Sequence, residues 1–417
     1  MSGPAGATPH ASSRAAVLDA VRAAGTISRV GIAAATGFTG ATVSTVVRRL
    51  IDDGLVVETG RAASTGGKRR VLLQLNQSSR FAVGVHLDHA GLTYVLTNLG
   101  GSVVARMSRA GVGTDDPPVV VARMATEVEA LIEGAGIDRS RILGLGVVAP
   151  GPMNQAGGRR LVPPAMRLWD GFALDRALGS AVGLPVVLEN DATAAALGEH
   201  WSGDVRGTAA FAAVHLGTGI GAGLMADGVV FRGASGNAGE IGHICLDVDG
   251  PECWCGARGC VEALAGPGAV VAAARADPAV ARAAGLTGEP AGRPRRAAEF
   301  AAVARAALRG DPGAGALVGR SARWLAVAVR TLATVADLEQ VVLTGPGFAV
   351  AGPLYLPVVR EELERHFFAR GTHGVTVRLS RTAATAPAVG AAALVLRSEL
   401  VPARDGFRPH VAGAAGG

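Results

Sequence analysis

The sequence predicts two parts of different class: a mainly helical winged helix-turn-helix at the N-terminus, followed by an α/β body in two lobes. Three observations lead there. Helix, short glycine turn and helix follow one another before Leu55. From Phe81 onward, short β-rich runs separated by glycine alternate with helical stretches. The length of 417 residues exceeds one ordinary domain, so more than one core is expected.

In the N-terminal part, Ser13 can cap a helix that carries Val17, Leu18 and Val21 on one face and ends before Gly25. A second short helix follows Ser28 and stops at Gly37. A third starts after Thr39, with Val43, Val47, Leu50 and Ile51 at helical spacing. Residues 55–58 and 71–75 then alternate like the two strands of a wing, around a turn that holds Lys68 and Arg69. The third helix keeps Thr42, Ser44, Thr45, Arg48 and Arg49 off its apolar stripe. Small hydroxyl residues let a helix sink into the major groove, and arginines reach phosphates or guanine edges. With Thr39, Lys68 and Arg69, these form the candidate contact set for double-stranded DNA. The alternative is a packing domain with an ordinary solvated face. Charge favours DNA: residues 1–80 hold ten Lys/Arg against four acids, while residues 81–417 hold thirty of each, so the whole excess of +6 lies on this module.

In the body, strands are expected at 81–87, 92–97, 102–106 and 142–148, with a helix over 118–133. The pattern loosely recurs with a strand at 209–216, a glycine loop at 217–223 and a late strand at 341–344. The expected organisation is a disordered tail over 1–12, the winged module over 13–78, and a body over 79–400. Its lobes span roughly 79–200 and 201–385, with a C-terminal helix at 386–400 packing back. A second disordered tail covers 401–417. Residues 276–297, with Pro278, Pro290 and Pro294, look like a surface excursion.

Composition excludes several chemistries. Lys68 is the sole lysine and an arginine follows it, so there is no Walker A loop and no lysine for the cleft. Four cysteines, three of them clustered, make no disulfide framework and fit a reducing cytoplasm. No apolar run reaches the ~20 residues of a membrane span, and no membrane partner is expected.

The most specific chemistry lies in His243 and the run Cys253-Trp254-Cys255-Gly256-Ala257-Arg258-Gly259-Cys260. One imidazole and three thiols suit tetrahedral zinc, and a loop built on glycines needs a reason to hold three thiols. The expected role is structural. Loose cysteines in an apolar core are the alternative for this cluster; Cys245 reads as just a small apolar residue. Glu240 and Glu262 bracket the ligands.

Four motifs together resemble the ROK family, named for repressors, open reading frames and kinases. They are Gly239-Glu240-Ile241-Gly242-His243, the cysteine loop with Glu262, Glu189-Asn190-Asp191-Ala192 before a helix, and Ala149-Pro150-Gly151-Pro152. The resemblance covers roughly residues 13–397. It implies an actin-like, ribonuclease H-like body of sugar-kinase type. It further implies sugar binding by Asn190, Asp191, Glu240, His243 and Glu262, with Asp191 as the base if the protein is a kinase. His243 would use its other nitrogen on the zinc. Family kinases open this body with Asp-x-Gly-Gly-Thr, serving magnesium and phosphate. Here His86 stands for the aspartate, and Asp88, His89 and Ala90 for Gly-Gly-Thr. That adds charge and bulk where a phosphate cradle needs neither. A two-residue shift of register would let Asp88 stand in. The resemblance therefore implies a cytoplasmic, sugar-responsive regulator, most simply a repressor, bound to operator DNA as a homodimer or homotetramer and nucleoid-associated when bound. A sugar kinase is the rival, and a ligand-blind scaffold a third reading.

Overall fold

The computed structural model describes residues 9–61, 70–113, 115–151, 153–154, 160–161, 168–202, 205, 207–286 and 296–400. The N-terminal module comprises α1 (Pro9–Ala24), β1 (Ile27–Ser28), α2 (Arg29–Thr36), α3 (Gly40–Asp52), β2 (Val56–Arg61) and β3 (Val71–Leu75). Ser28 caps α2 by accepting from the Gly31 amide, and Gly37 closes it with a left-handed backbone at φ 70°. Thr39 caps α3 by accepting from the Thr42 amide. Val43, Val46, Val47 and Leu50 of α3 bury against Val17, Leu18 and Val21 of α1. The strands order β1-β3-β2, so a short strand before α2 adds a third member to the wing.

Three expectations need correction. The first helix starts at Pro9 and not at a Ser13 cap, because proline preorganises a first helical turn; Ser13 is buried inside the helix. The expected tail over 1–12 therefore loses residues 9–12 to this helix. The stretch 276–297 also contains a helix, Pro278–Ala283, capped by the Asp277 side chain on the Ala279 and Val280 amides. The wing turn with Lys68 and Arg69, and the tail over 401–417, lie outside the described residues.

The first lobe is built on β4 (Phe81–Leu87), β5 (Gly91–Asn98), β6 (Val103–Ala110), β7 (Ile142–Ala149) and β10 (Val186–Asn190), ordered β10-β7-β4-β5-β6. Helices α4 (Pro117–Gly134) and α5 (Leu174–Val182) cover one face, and a two-stranded ribbon, β8 (Met153–Asn154) with β9 (Arg160–Leu161), follows β7. Between the lobes runs α6 (Asp191–Ser202). The second lobe holds β11 (Ala210–Leu216), β12 (Ile220–Ala226), β13 (Val229–Phe231), β14 (Gln340–Thr344) and β15 (Thr376–Leu379), ordered β13-β12-β11-β14-β15. Its helices are α7 (Val261–Ala265), α8 (Pro267–Ala276), α9 (Pro278–Ala283), α10 (Arg296–Leu308), α11 (Pro312–Ala336) and α12 (Pro346–His366). Finally α13 (Ala386–Leu400) lies on β4, β7 and α6.

The two central helices are buried almost throughout; α6 buries even Glu199, which pairs with Arg378 and accepts from Ser380. They meet at glycine: a Cβ on Gly390 would sit 1.7 Å from the Ala194 carbonyl oxygen. Parallel strands β4, β7 and β10 in one lobe, and β11 and β14 in the other, end at the same cleft. In open α/β sheets, the carboxyl ends of strands are where ligands bind.

Candidate functional site

Each lobe delivers side chains to the cleft from a strand end. β4 brings His86 and, one residue past the strand, Asp88. β7 runs out into Pro150 and Gly151, and β10 ends at Asn190, whose side chain caps α6 by accepting from the Thr193 amide at 3.0 Å. The Asn190 amide also donates to the Gly151 carbonyl at 3.3 Å. Asp191 opens α6 with Oδ1 accepting from the Ala192 amide at 2.7 Å. Its other oxygen faces His86 Nε2 at 3.5 Å and His215 Nε2 at 3.7 Å.

These three groups are almost fully buried. Burial alone would hold Asp191 protonated, yet the imidazoles of His215 and His86 lower its pKa. For His86, burial also works against charge, but Asp191 and then Asp88 overcome it and raise its pKa. Burial dominates at His215, which is held below the ordinary histidine range.

All five candidate sugar-binding residues, Asn190, Asp191, Glu240, His243 and Glu262, line this one cleft. Glu262 is anchored on both oxygens: the Ile220 amide donates to Oε2 at 3.1 Å, and the Trp254 indole to Oε1 at 2.7 Å. Gly219 leaves room for this carboxylate, since a Cβ there would lie 2.1 Å from Oε2 and displace it. Glu240 is pushed up to about 7, first by burial and then by the charges of Asp191 and Glu262. Three carboxylates around one cleft suit a ligand rich in hydroxyl donors.

His243, Cys253, Cys255 and Cys260 come together, with all ligand atoms within 4.8 Å of one another. Cys253 Sγ lies 3.6 Å from His243 Nδ1, and Cys255 Sγ lies 3.7 Å from Cys260 Sγ. Zn–S bonds of about 2.3 Å and Zn–N bonds of about 2.0 Å predict tetrahedral edges of about 3.7 and 3.5 Å. The donor set therefore fits such an ion. Burial pushes the Cys260 thiol up to about 12, so a trio of thiolates here needs a cation. With Nδ1 turned to the thiols, Nε2 of His243 is left for the cleft. Cys245 is exposed and outside the cluster; its backbone pairs with Cys260.

Two cleft residues escape sequence reasoning. Trp254 sits between two of the cysteines and packs edge-on against His243, with ring centroids 4.7 Å apart. As the sole aromatic residue in the cysteine loop, it offered a signal. His215 gave none; it looked like one more residue of a buried strand.

On the N-terminal module, Thr45, Arg48 and Arg49 are exposed on α3, while Thr42 and Ser44 are half-buried. The Thr39 and Thr42 hydroxyls bond each other at 2.9 Å. The basic footprint is smaller than a charge count implies. Arg22 is buried, donates to the Trp201 carbonyl at 3.1 Å, pairs with Asp19 and stacks on the Trp201 ring at 4.5 Å. Arg14 pairs with Asp53, and Arg29 with Glu58.

The ROK family model matches residues 88–398, three quarters of the chain. The chain belongs to the ROK family. A xylose repressor of Caldicellulosiruptor bescii is 33% identical over 240 residues, 57% of this ROK protein and 60% of the repressor. The chain spans only about 60% of the length of the curated relatives it matches first. Among solved structures, a ROK transcriptional regulator described as a homologue of the E. coli MLC protein superposes with TM-score 0.68 at 27% identity. That match covers 94% of this chain and 97% of the regulator. A ROK glucokinase from Streptomyces griseus, solved with glucose and AMPPNP, gives TM-score 0.64 at 28% identity. It is covered to 98% but reaches only 75% of this chain. The fold is thus the two-lobed ROK body with a winged helix-turn-helix in front. Among the described residues, no single helix is long and apolar enough to cross a membrane.

Proposed function

We infer that this ROK protein is a sugar-responsive transcriptional repressor. The observation that carries the reading is the N-terminal module: the regulator fold accounts for 94% of the chain, whereas the kinase fold stops at 75%. Arg48, Arg49 and Thr45 would meet operator DNA from α3, with Thr39, Thr42 and Ser44 beside them and Lys68 and Arg69 on the wing. A sugar or sugar derivative would sit among Asn190, Asp191, Glu240, His243 and Glu262. Zinc held by His243, Cys253, Cys255 and Cys260 would supply no reaction; it would fix the ring that faces the ligand. Two modules on a homodimer or homotetramer would read paired half-sites. The sugar weakens DNA binding only as far as it prefers the DNA-incompetent state, typically ~1 to 3 kcal/mol. Such a regulator acts in the cytoplasm, at the nucleoid when DNA-bound.

The test is retention of DNA from upstream of its own and neighbouring sugar genes, with xylose, other pentoses, hexoses and amino sugars added in turn. Operator-selective retention relieved by one sugar is expected. Absence of any selective retention would overturn the reading. Asp191 keeps a kinase in view as the second reading. Against it, the resemblance puts His86 where family kinases carry the aspartate, and the Thr218 hydroxyl donates to Asp88 across the cleft. ADP release with a sugar, abolished by Asp191→Asn, would establish the kinase instead.

A further inference from the structure

The floor of the cleft holds two histidines that the sugar reading does not use, set around Asp191, which it does. His86 from β4, His215 from β11 and Asp191 at the start of α6 bring two imidazole nitrogens and one carboxylate oxygen within 4.8 Å of one another. Among the described residues, neither histidine Nε2 has a hydrogen-bond partner, and both rings are at least 95% buried. Leaving such groups unsatisfied is costly, so a buried unpartnered pair calls for an occupant. The spacing names one. At 3.5 and 3.7 Å the rings stand too far from Asp191 Oδ2 for directed hydrogen bonds. Bonds of about 2.0 to 2.2 Å to a shared tetrahedral ion place imidazole nitrogen and carboxylate oxygen about 3.3 to 3.6 Å apart.

We propose that His86, Asp191 and His215 form a second metal site, for a divalent transition ion of the zinc, cobalt or iron(II) class. Two imidazoles and a carboxylate are nitrogen and oxygen donors of borderline hardness, which separates this site from the thiol-rich one and disfavours calcium or magnesium. Three protein ligands leave a coordination position open, and Asp191 and His215 both line the cleft into which it faces. The ion would lie where the lobes meet, since β4 belongs to one and β11 to the other. The site stands on its own geometry and does not depend on the sugar reading.

The experiment uses the full-length protein, stripped with a chelator and reloaded with Co2+, followed by metal counting and optical spectroscopy. Two ions per chain are expected: one with thiolate-to-cobalt charge transfer, one with only the weaker bands of nitrogen and oxygen ligation. His215→Gln and His86→Gln should each reduce the count to one while leaving the charge-transfer band intact, which also shows that the variant is folded. Cys255→Ser should abolish or weaken the charge-transfer band and leave the second spectrum. A single ion per wild-type chain, carrying all of the charge-transfer intensity, would overturn the proposal. So would two ions retained by both histidine variants, which would mark the second as adventitious. Should a histidine variant lose both ions, the wild-type count and the Cys255→Ser spectrum decide.

Discussion

Glu240 shows how much one side chain can govern. With its pKa raised to about 7, its protonated form is the one the fold favours. Raising pH from about 4.5 towards 7 costs stability, up to about 3 kcal/mol for a shift of this size, and above 7 the cost levels off. A sugar hydroxyl that donates to the carboxylate favours the ionised form. Sugar affinity should therefore rise as pH passes through about 7, with proton release on binding; calorimetry in two buffers of different ionisation enthalpy measures it. Glu240→Gln should flatten the profile. Residues of this kind were readable where the chain places them close together: Glu240 with His243, and the cysteines with Glu262. His215 was not, because its meeting with His86 and Asp191 joins three elements that no local spacing connects. Trp254 stood in plain view, and only the fold showed that its indole holds Glu262.

At the scale of elements, caps decided what could be read. Ser28, Gly37 and Thr39 bound α2 and α3 as expected, since each supplies a specific hydrogen bond or backbone angle. Proline misled: Pro278 reads as part of a surface excursion, yet it stands at the first turn of a helix, where its missing N–H costs nothing, and Pro9 likewise opens α1 inside the expected tail. For α3, Arg48→Ala and Arg49→Ala should each weaken operator binding and reduce the slope of log affinity against log salt by about 0.9, if each neutralises one phosphate. Fluorescence anisotropy across a salt series reads the slope. In the cysteine loop, Cys255→Ser or chelation should lower the melting temperature on the order of 10 °C and remove the response to sugar. An unchanged melting curve after complete metal removal would contradict a structural role.

For the molecule as a whole, the decisive contacts join parts that are distant in sequence. Helices α6 and α13 approach so closely that Gly390→Ala, with its Cβ 1.7 Å from a carbonyl oxygen, should cost about 3 kcal/mol or more in denaturant titrations. The same α6 starts at Asp191 in the cleft and carries Trp201 in its last turn, under the Arg22 guanidinium of the N-terminal module. Trp201→Ala should leave sugar binding within about threefold of wild type but reduce the sugar's effect on DNA affinity, a loss of coupling that paired titrations detect. Sequence reading separated the two parts at the module's edge because charge and periodicity change there. It had no means of showing that Val17, Leu18 and Val21 belong to the same buried cluster as Leu197, Trp201 and Leu394. That shared core has a calorimetric consequence. A helix-turn-helix on a slack tether melts ahead of its body and gives its own early endotherm, whereas this one should melt together with the first lobe in a single cooperative transition.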